Sequence, residues 1–341
     1  MIQLLPYFWF AIVVIALIFY AMLDGFDLGV GALHLFAKDD NERRIFLNAI
    51  GPVWDGNEVW LVIVGGALFA GFPAVYATIF SAFYTPLMAM LFCLILRAVA
   101  IEFRSKMEHV KWRSIWDVVF SIASIAIGFF GGLLLGNLIQ GIPLNSDGDF
   151  IGTLADFFSP FTILLGITVI FLFTMHGNIY LLMKTEGPLH DRMRGWIKYT
   201  IGAFLVMYGL LTVYTLYNFP YMVEGMQEHP MLFAVPVVTL LSILTVPVLI
   251  ARGCDGWAFL TSCFSILLLF CLFGIGVFPT MVLSTVDPYQ NSLTIENSHA
   301  SALTLKVLAI IVAIGIPLVL AYGAYIYHTF RGKVHIDESS Y

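Results

Sequence analysis

Of the 341 residues, 60% are hydrophobic and 11% charged, and the mean hydropathy is +0.92; these values exclude a soluble globular domain. The formal net charge of −6 is spread over separate loops and forms no basic run suited to nucleic acid. The composition specifies an all-α integral membrane protein that crosses the bilayer many times.

A helix needs about 20 apolar residues to cross the hydrocarbon core. The apolar runs predict nine such helices, over residues 5–34, 46–70, 74–103, 113–139, 159–184, 193–217, 231–251, 257–280 and 301–330. The N-terminal run MIQLLPYFWF has no basic leader and the apolar stretch is too long for a cleaved signal, so the first helix is expected to stay in the product. Fourteen of the sixteen Lys and Arg residues fall in the first, third, fifth and seventh loops and the tail, leaving only Arg97 and Lys306. By the positive-inside rule the N-terminus lies outside and the C-terminus in the cytoplasm. The outer loops, about 140–158, 218–230 and 281–300, are too short for a further domain, so residues 1–341 form a single membrane domain. A faint repeat aligns IFYAMLDGF (18–26) with IFLFTMHGN (170–178) at an offset of 152. It predicts two four-helix bundles, about 1–140 and 155–280, with a peripheral ninth helix at 300–330.

Acids inside these spans are the candidates for chemistry. GPVWDGNEVW (51–60) places Asp55 and Glu58 in the second helix, and LDGFDLGVG (23–31) places Asp24 and Asp27 on one face of the first. Each ionised carboxylate at mid-membrane costs about 3 kcal/mol on insertion scales, and neighbours must offset it. Counted from the inner helix ends, Asp27, Asp55 and Arg97 share a depth of roughly 10–14 Å, which predicts that they pair. Glu58 lies deeper and Glu102 near the inner mouth of the third helix. Burial brings the protonated and ionised forms of a carboxyl closer in energy, so these groups could pass protons inward from the cytoplasm. Arg97 with a single Asp would be a structural ion pair. One pair does not account for four intramembrane acids, Asp24, Asp27, Asp55 and Glu58, and the surplus favours proton handling.

Trp54 and Trp60 bracket the motif; Trp54 is a candidate for lining a cavity, and Trp60 reads as packing. Among eight histidines only His176 is deep in the membrane, with no second histidine at matched depth to complete a haem site, so it is expected to hydrogen-bond within the second bundle, at the position that Asp24 holds in the first. Cys93, Cys254, Cys263 and Cys271 have neither metal-like nor loop-paired spacing and read as buried thiols. Gly25, Gly29 and Gly31 permit close helix approach. Intramembrane acids, one Arg and repeated bundles also describe a proton-coupled secondary transporter, and on residues alone that alternative stays open.

Several motifs, in order and spacing, resemble subunit II of the cytochrome bd-type terminal quinol oxidases. They are LDGFDLGVG, NERR, GPVWDGNEVWLV with GGALFAGFPAVY, LRAVAIEFRSK, WRSIWD, GNLIQGIP, ARGCDGWAF and SLTIENSHASALTLKVL, and together they cover essentially the whole length. The resemblance implies a complex in the bacterial cytoplasmic (inner) membrane that oxidises quinol and reduces dioxygen to water. It implies that haems b and d belong to a partner, subunit I, and that this chain holds no complete catalytic site and binds no metal or cofactor alone. It further implies that this chain supports subunit I and supplies a hydrophilic path for cytoplasmic protons, with Asp27, Trp54, Asp55, Arg97 and Glu102 at the matching positions. Glu102 stands where some relatives carry Asp. The resemblance leaves room for small single-helix accessory subunits and for a quinone or lipid against this chain. A scaffold that only holds subunit I, with the charges structural, is compatible with the same complex.

Overall fold

The computed structural model describes residues 4–336. Residues 1–3 and 337–341, the chain ends whose sides of the membrane the charge pattern assigns, lie outside the described residues. The helices are α1 (Leu5–Leu33), α2 (Asp40–Ile50), α3 (Trp54–Gly71), α4 (Pro73–Ala82), α5 (Tyr84–Phe103), α6 (Val110–Gln140), α7 (Pro160–Lys184) and α8 (Gly187–Asn218). They continue with α9 (Glu224–Glu228), α10 (Ala234–Ala251), α11 (Asp255–Val277), α12 (Pro288–Asn291) and α13 (Ala302–Thr329). Among the described residues, eight helices are long and apolar enough to cross a membrane, or nine if the bent pair α2 and α3 forms one span.

Two predicted spans are broken. The run at 46–70 is divided into α2 and α3, which meet at 49°. Pro52 lacks the amide hydrogen a continuous helix needs, and its ring would press on the carbonyl of Asn48, so the helix stops at Ile50 and restarts at Trp54. The run at 74–103 is divided into α4 and α5 at Phe83, whose φ of −88° and ψ of 22° leave the helical region. Pro86 acts there in the same way, against the carbonyl of Ala82. The run at 46–70 still reads as one span despite Asn48, Asp55, Asn57 and Glu58 around Pro52, and Pro86 lies within an apolar run.

The long helices assemble around α1, which packs against α3, α6, α7 and α11. Its closest approach is to α7. A Cβ on Gly29 would lie 1.8 Å from the Phe173 carbonyl oxygen, and one on Gly177 would lie 2.4 Å from the Gly29 carbonyl carbon. Only glycine lets the two backbones meet at this distance. At the end opposite the basic loops, β1 (Thr280–Val282) pairs antiparallel with β2 (Leu293–Thr294), and Ile142 bridges to Ser284. α13 lies on the outside against α1 and α3, and Leu305 is its one buried residue. The four cysteines are free thiols, half-buried rather than buried.

Candidate functional site

The site grows from the polar residues that α1, α3 and α5 place in an apolar interior. Arg97 on α5 is fully buried, and its guanidinium forks between two helices. Nη1 donates to Asp24 Oδ1 on α1 and Nη2 to Glu58 Oε2 on α3, each at 2.7 Å. Asp24 is completely buried, whereas the Glu58 side chain is 25% exposed. Charge-assisted bonds of this length between desolvated groups hold all three helices in one register.

One turn along α1, Asp27 is also buried but takes a neutral donor: Asn57 Nδ2 on α3 reaches its Oδ2 at 2.8 Å. The same nitrogen lies 3.3 Å from the Leu23 carbonyl oxygen. The other end of that carboxamide accepts from the hydroxyl of Tyr327 on α13, at 2.8 Å.

The predicted pairing of Arg97 with Asp27 and Asp55 is therefore corrected: its ion pairs are with Asp24 and Glu58. The depth count treated 46–70 as one straight helix. With the break at Pro52, Asp55 sits in the first turn of α3 and is exposed, while Glu58, one turn further, comes level with Arg97. A carboxylate at a helix start is favoured by the unpaired amide groups and positive dipole end there. Trp54 beside it packs half-buried against the core, and Trp60 is buried, stacked on Phe19 with centroids 4.4 Å apart. Glu102 is half-buried one residue before the end of α5, about 7.5 Å along the axis from Arg97 toward the basic loops.

His176 is buried on α7, as expected, and hydrogen-bonds across both halves of the molecule. Nδ1 meets Ser262 Oγ on α11 at 2.7 Å and Nε2 meets the Met22 carbonyl oxygen on α1 at 2.9 Å. Its ring also stacks on Phe259 at 5.1 Å. Both ring nitrogens are engaged by protein groups. Among the described residues, no group of three or more His, Cys, Asp and Glu side chains is arranged to hold a metal ion.

A second charged cluster lies at the basic end, where the sequence marks Arg43, Arg104 and Arg113 as loop charge and assigns Asp117 and Asp40 no partner. Asp117 on α6 is buried and accepts from Arg104 Nε at 2.5 Å and Arg43 Nη1 at 3.1 Å, and meets His34 Nε2 at 2.6 Å. Asp40 then joins Arg104 and Arg113, each at 2.7 Å. These bonds tie α2 and the ends of α1 and α5 nearest the basic loops to α6. Asn57 and Tyr327 were missed as well; neither carries a charge whose insertion cost would single it out.

The family model of cytochrome bd terminal oxidase subunit II matches residues 5–330 of this chain. Subunit 2 of the cytochrome bd-I ubiquinol oxidase of Escherichia coli (strain K12) is 34% identical, the match covering 98% of this chain and 97% of that one. Subunit 2 of the cytochrome bd ubiquinol oxidase of Bacillus subtilis (strain 168) is 32% identical over 97% of each. A chain of the solved bd oxidase from Geobacillus thermodenitrificans superposes with a TM-score of 0.80 over 96% of this chain and 98% of its own, at 18% identity, so it is similar in fold.

Proposed function

The chain belongs to the subunit II family of cytochrome bd terminal oxidases, and from that premise we propose how its geometry serves a quinol:oxygen oxidoreductase. It is the haem-free, multi-pass subunit of that complex in the bacterial cytoplasmic membrane, with a haem-bearing subunit I as its partner. Haems b and d are carried by that partner, where quinol is oxidised and dioxygen reduced to water. Reducing dioxygen consumes protons. This chain supports subunit I and provides the hydrophilic path by which cytoplasmic protons reach the oxygen site, so turnover separates charge across the membrane.

The observation that carries this reading is the set of acids gathered around Arg97 inside the bilayer: Asp24 and Glu58 share its guanidinium, and Asp27, fully buried one turn away, has only the neutral Asn57 amide as donor. A structural ion pair would need one acid. Asp55, exposed at the start of α3, and Glu102, near the inner end of α5, flank the set on the route from the basic loops. Trp54 lines the approach between them and the core. The basic end faces the cytoplasm, the N-terminus lies outside and the C-terminus inside. The spans divide into two four-helix bundles, about 1–140 and 155–280, with α13 peripheral. The packing of α6 on α7 and of α11 on α1 supports this division, since the repeat at offset 152 would exchange these two contacts.

The test is oxygen consumption by the assembled complex with Asp27→Asn or Asp55→Asn. Slowed turnover with unchanged haem spectra supports the proton path. Full turnover in both variants leaves only the scaffold. The isolated polypeptide should show no Soret band, and a stoichiometric haem there would overturn the assignment of the haems to subunit I.

A further inference from the structure

The proton path proposed above treats Asp27 as one acid among several, and the outermost helix as support. The hydrogen bonds around Asn57 connect the two. Its Nδ2 lies between two oxygens, Asp27 Oδ2 at 2.8 Å and the Leu23 carbonyl at 3.3 Å. A backbone carbonyl can only accept, so the carboxamide nitrogen must face this side. The amide oxygen therefore points the other way, toward Tyr327, whose hydroxyl donates to it at 2.8 Å. Asn57 is buried, and without that hydroxyl its oxygen would lack a donor.

The consequence falls on Asp27. Oδ2 faces a fixed N–H and is poorly placed to carry a proton. Oδ1 is buried and has no hydrogen-bond partner among the described residues. Proton exchange is thereby directed to Oδ1.

We propose that Tyr327, through the orientation of Asn57, is a positioning residue of the proton path, so that the last helix sets which oxygen of Asp27 takes up the proton. The inference rests on the reading that Asp27 handles protons. Ionisable groups act on this pair from five helices: Asp24 on α1, Glu58 on α3, Arg97 on α5, Tyr180 on α7 and Cys263 on α11. None of them is joined to the Asn57 carboxamide by a hydrogen bond, whereas Tyr327 is.

The experiment compares Tyr327→Phe, Asp27→Asn and the double variant in the purified complex, with Tyr322→Phe on an exposed part of α13 as control. Tyr327→Phe should keep the haem spectrum and lower turnover about three- to tenfold, the loss expected of one buried hydrogen bond. Its pH profile of turnover should move to higher pH, because the N–H that favours ionised Asp27 is no longer held in place. In the Asp27→Asn background the same change should cost nothing further. A profile that superimposes on wild type, or a full additional loss on top of Asp27→Asn, overturns the proposal. Should the Phe variant fail to assemble, a ring-fluorinated tyrosine at position 327 keeps the shape and makes a stronger donor. Its pH profile must then shift, and an unmoved one overturns the proposal. If Asp27→Asn itself leaves turnover intact, the premise that Asp27 handles protons fails and this inference with it; if only Tyr327→Phe is silent, the path stands and this inference falls.

Discussion

Replacing Arg97 with Gln probes the site at its most highly charged point. The guanidinium is fully buried and serves Asp24 Oδ1 and Glu58 Oε2, each at 2.7 Å. Asp24 is buried to the same degree, so loss of its cation leaves an uncompensated carboxylate in the interior, at a cost of about 3–5 kcal/mol. Glu58 is different: its side chain is 25% exposed. Water screens its loss, which adds at most about 1 kcal/mol. The destabilisation should therefore act almost entirely through Asp24. It follows that Asp24→Asn in the Arg97→Gln background restores most of the lost stability, and that Glu58→Gln restores little. The assay is the denaturant midpoint of the purified complex, read by loss of native haem absorbance and by tryptophan fluorescence. An Arg97→Gln complex that unfolds at the wild-type midpoint would falsify the reasoning. So would a larger rescue by Glu58→Gln than by Asp24→Asn.

Asp117→Asn should destabilise the basic end by about 3 kcal/mol, since the buried guanidinium of Arg104 loses its buried anion and keeps only the half-exposed Asp40; haem per milligram of membrane protein measures the lost assembly. Gly177→Ala should prevent α1 and α7 from meeting, because the added Cβ would lie 2.4 Å from the Gly29 carbonyl carbon. Gly209→Ala, with nothing within 4 Å, should assemble normally, and equal yields of the two would refute the crossing as the limiting contact. In a background without the native cysteines, Ser146→Cys should react with an impermeant thiol reagent from outside and Lys111→Cys only after permeabilisation. The reverse pattern would invert the proposed orientation.

Hydropathy and loop charge made the spans legible in the sequence because the bilayer imposes both signals on every crossing helix. The breaks inside two spans were not legible by the same route. Pro86 sits within an apolar run, and near Pro52 the polar Asn48, Asp55, Asn57 and Glu58 are outweighed over the length of a span; the hydrogen bond each proline removes does not enter a hydropathy sum. The cap at the opposite end was also hidden. Its two strands pair only three and two residues, and Ile142 reaches Ser284 from a loop far away in the chain. No local periodicity announces contacts of that kind.

At the site, insertion cost singled out Asp24, Asp27 and Glu58, which the structure gathers around Arg97, but not their partners, since partnership depends on the bend before α3. Once Arg97 is assigned to Asp24 and Glu58, Asp27 is the fully buried acid held only by a neutral amide. That difference separates structural from proton-handling roles in a way one pair of variants can read. Asp24→Asn removes the buried counterion of Arg97 and should cost about 3–5 kcal/mol of stability. Asp27→Asn breaks no ion pair, and its amide oxygen can still accept from Asn57 Nδ2, so the stability cost should stay within about 1 kcal/mol. Its turnover, however, should fall, because an amide cannot take up and release the proton. Denaturant midpoints and oxygen consumption on the same two preparations decide the matter. If Asp27→Asn loses stability and keeps its turnover, while Asp24→Asn does the opposite, the roles given to the two acids are exchanged and the path runs through the ion pair instead.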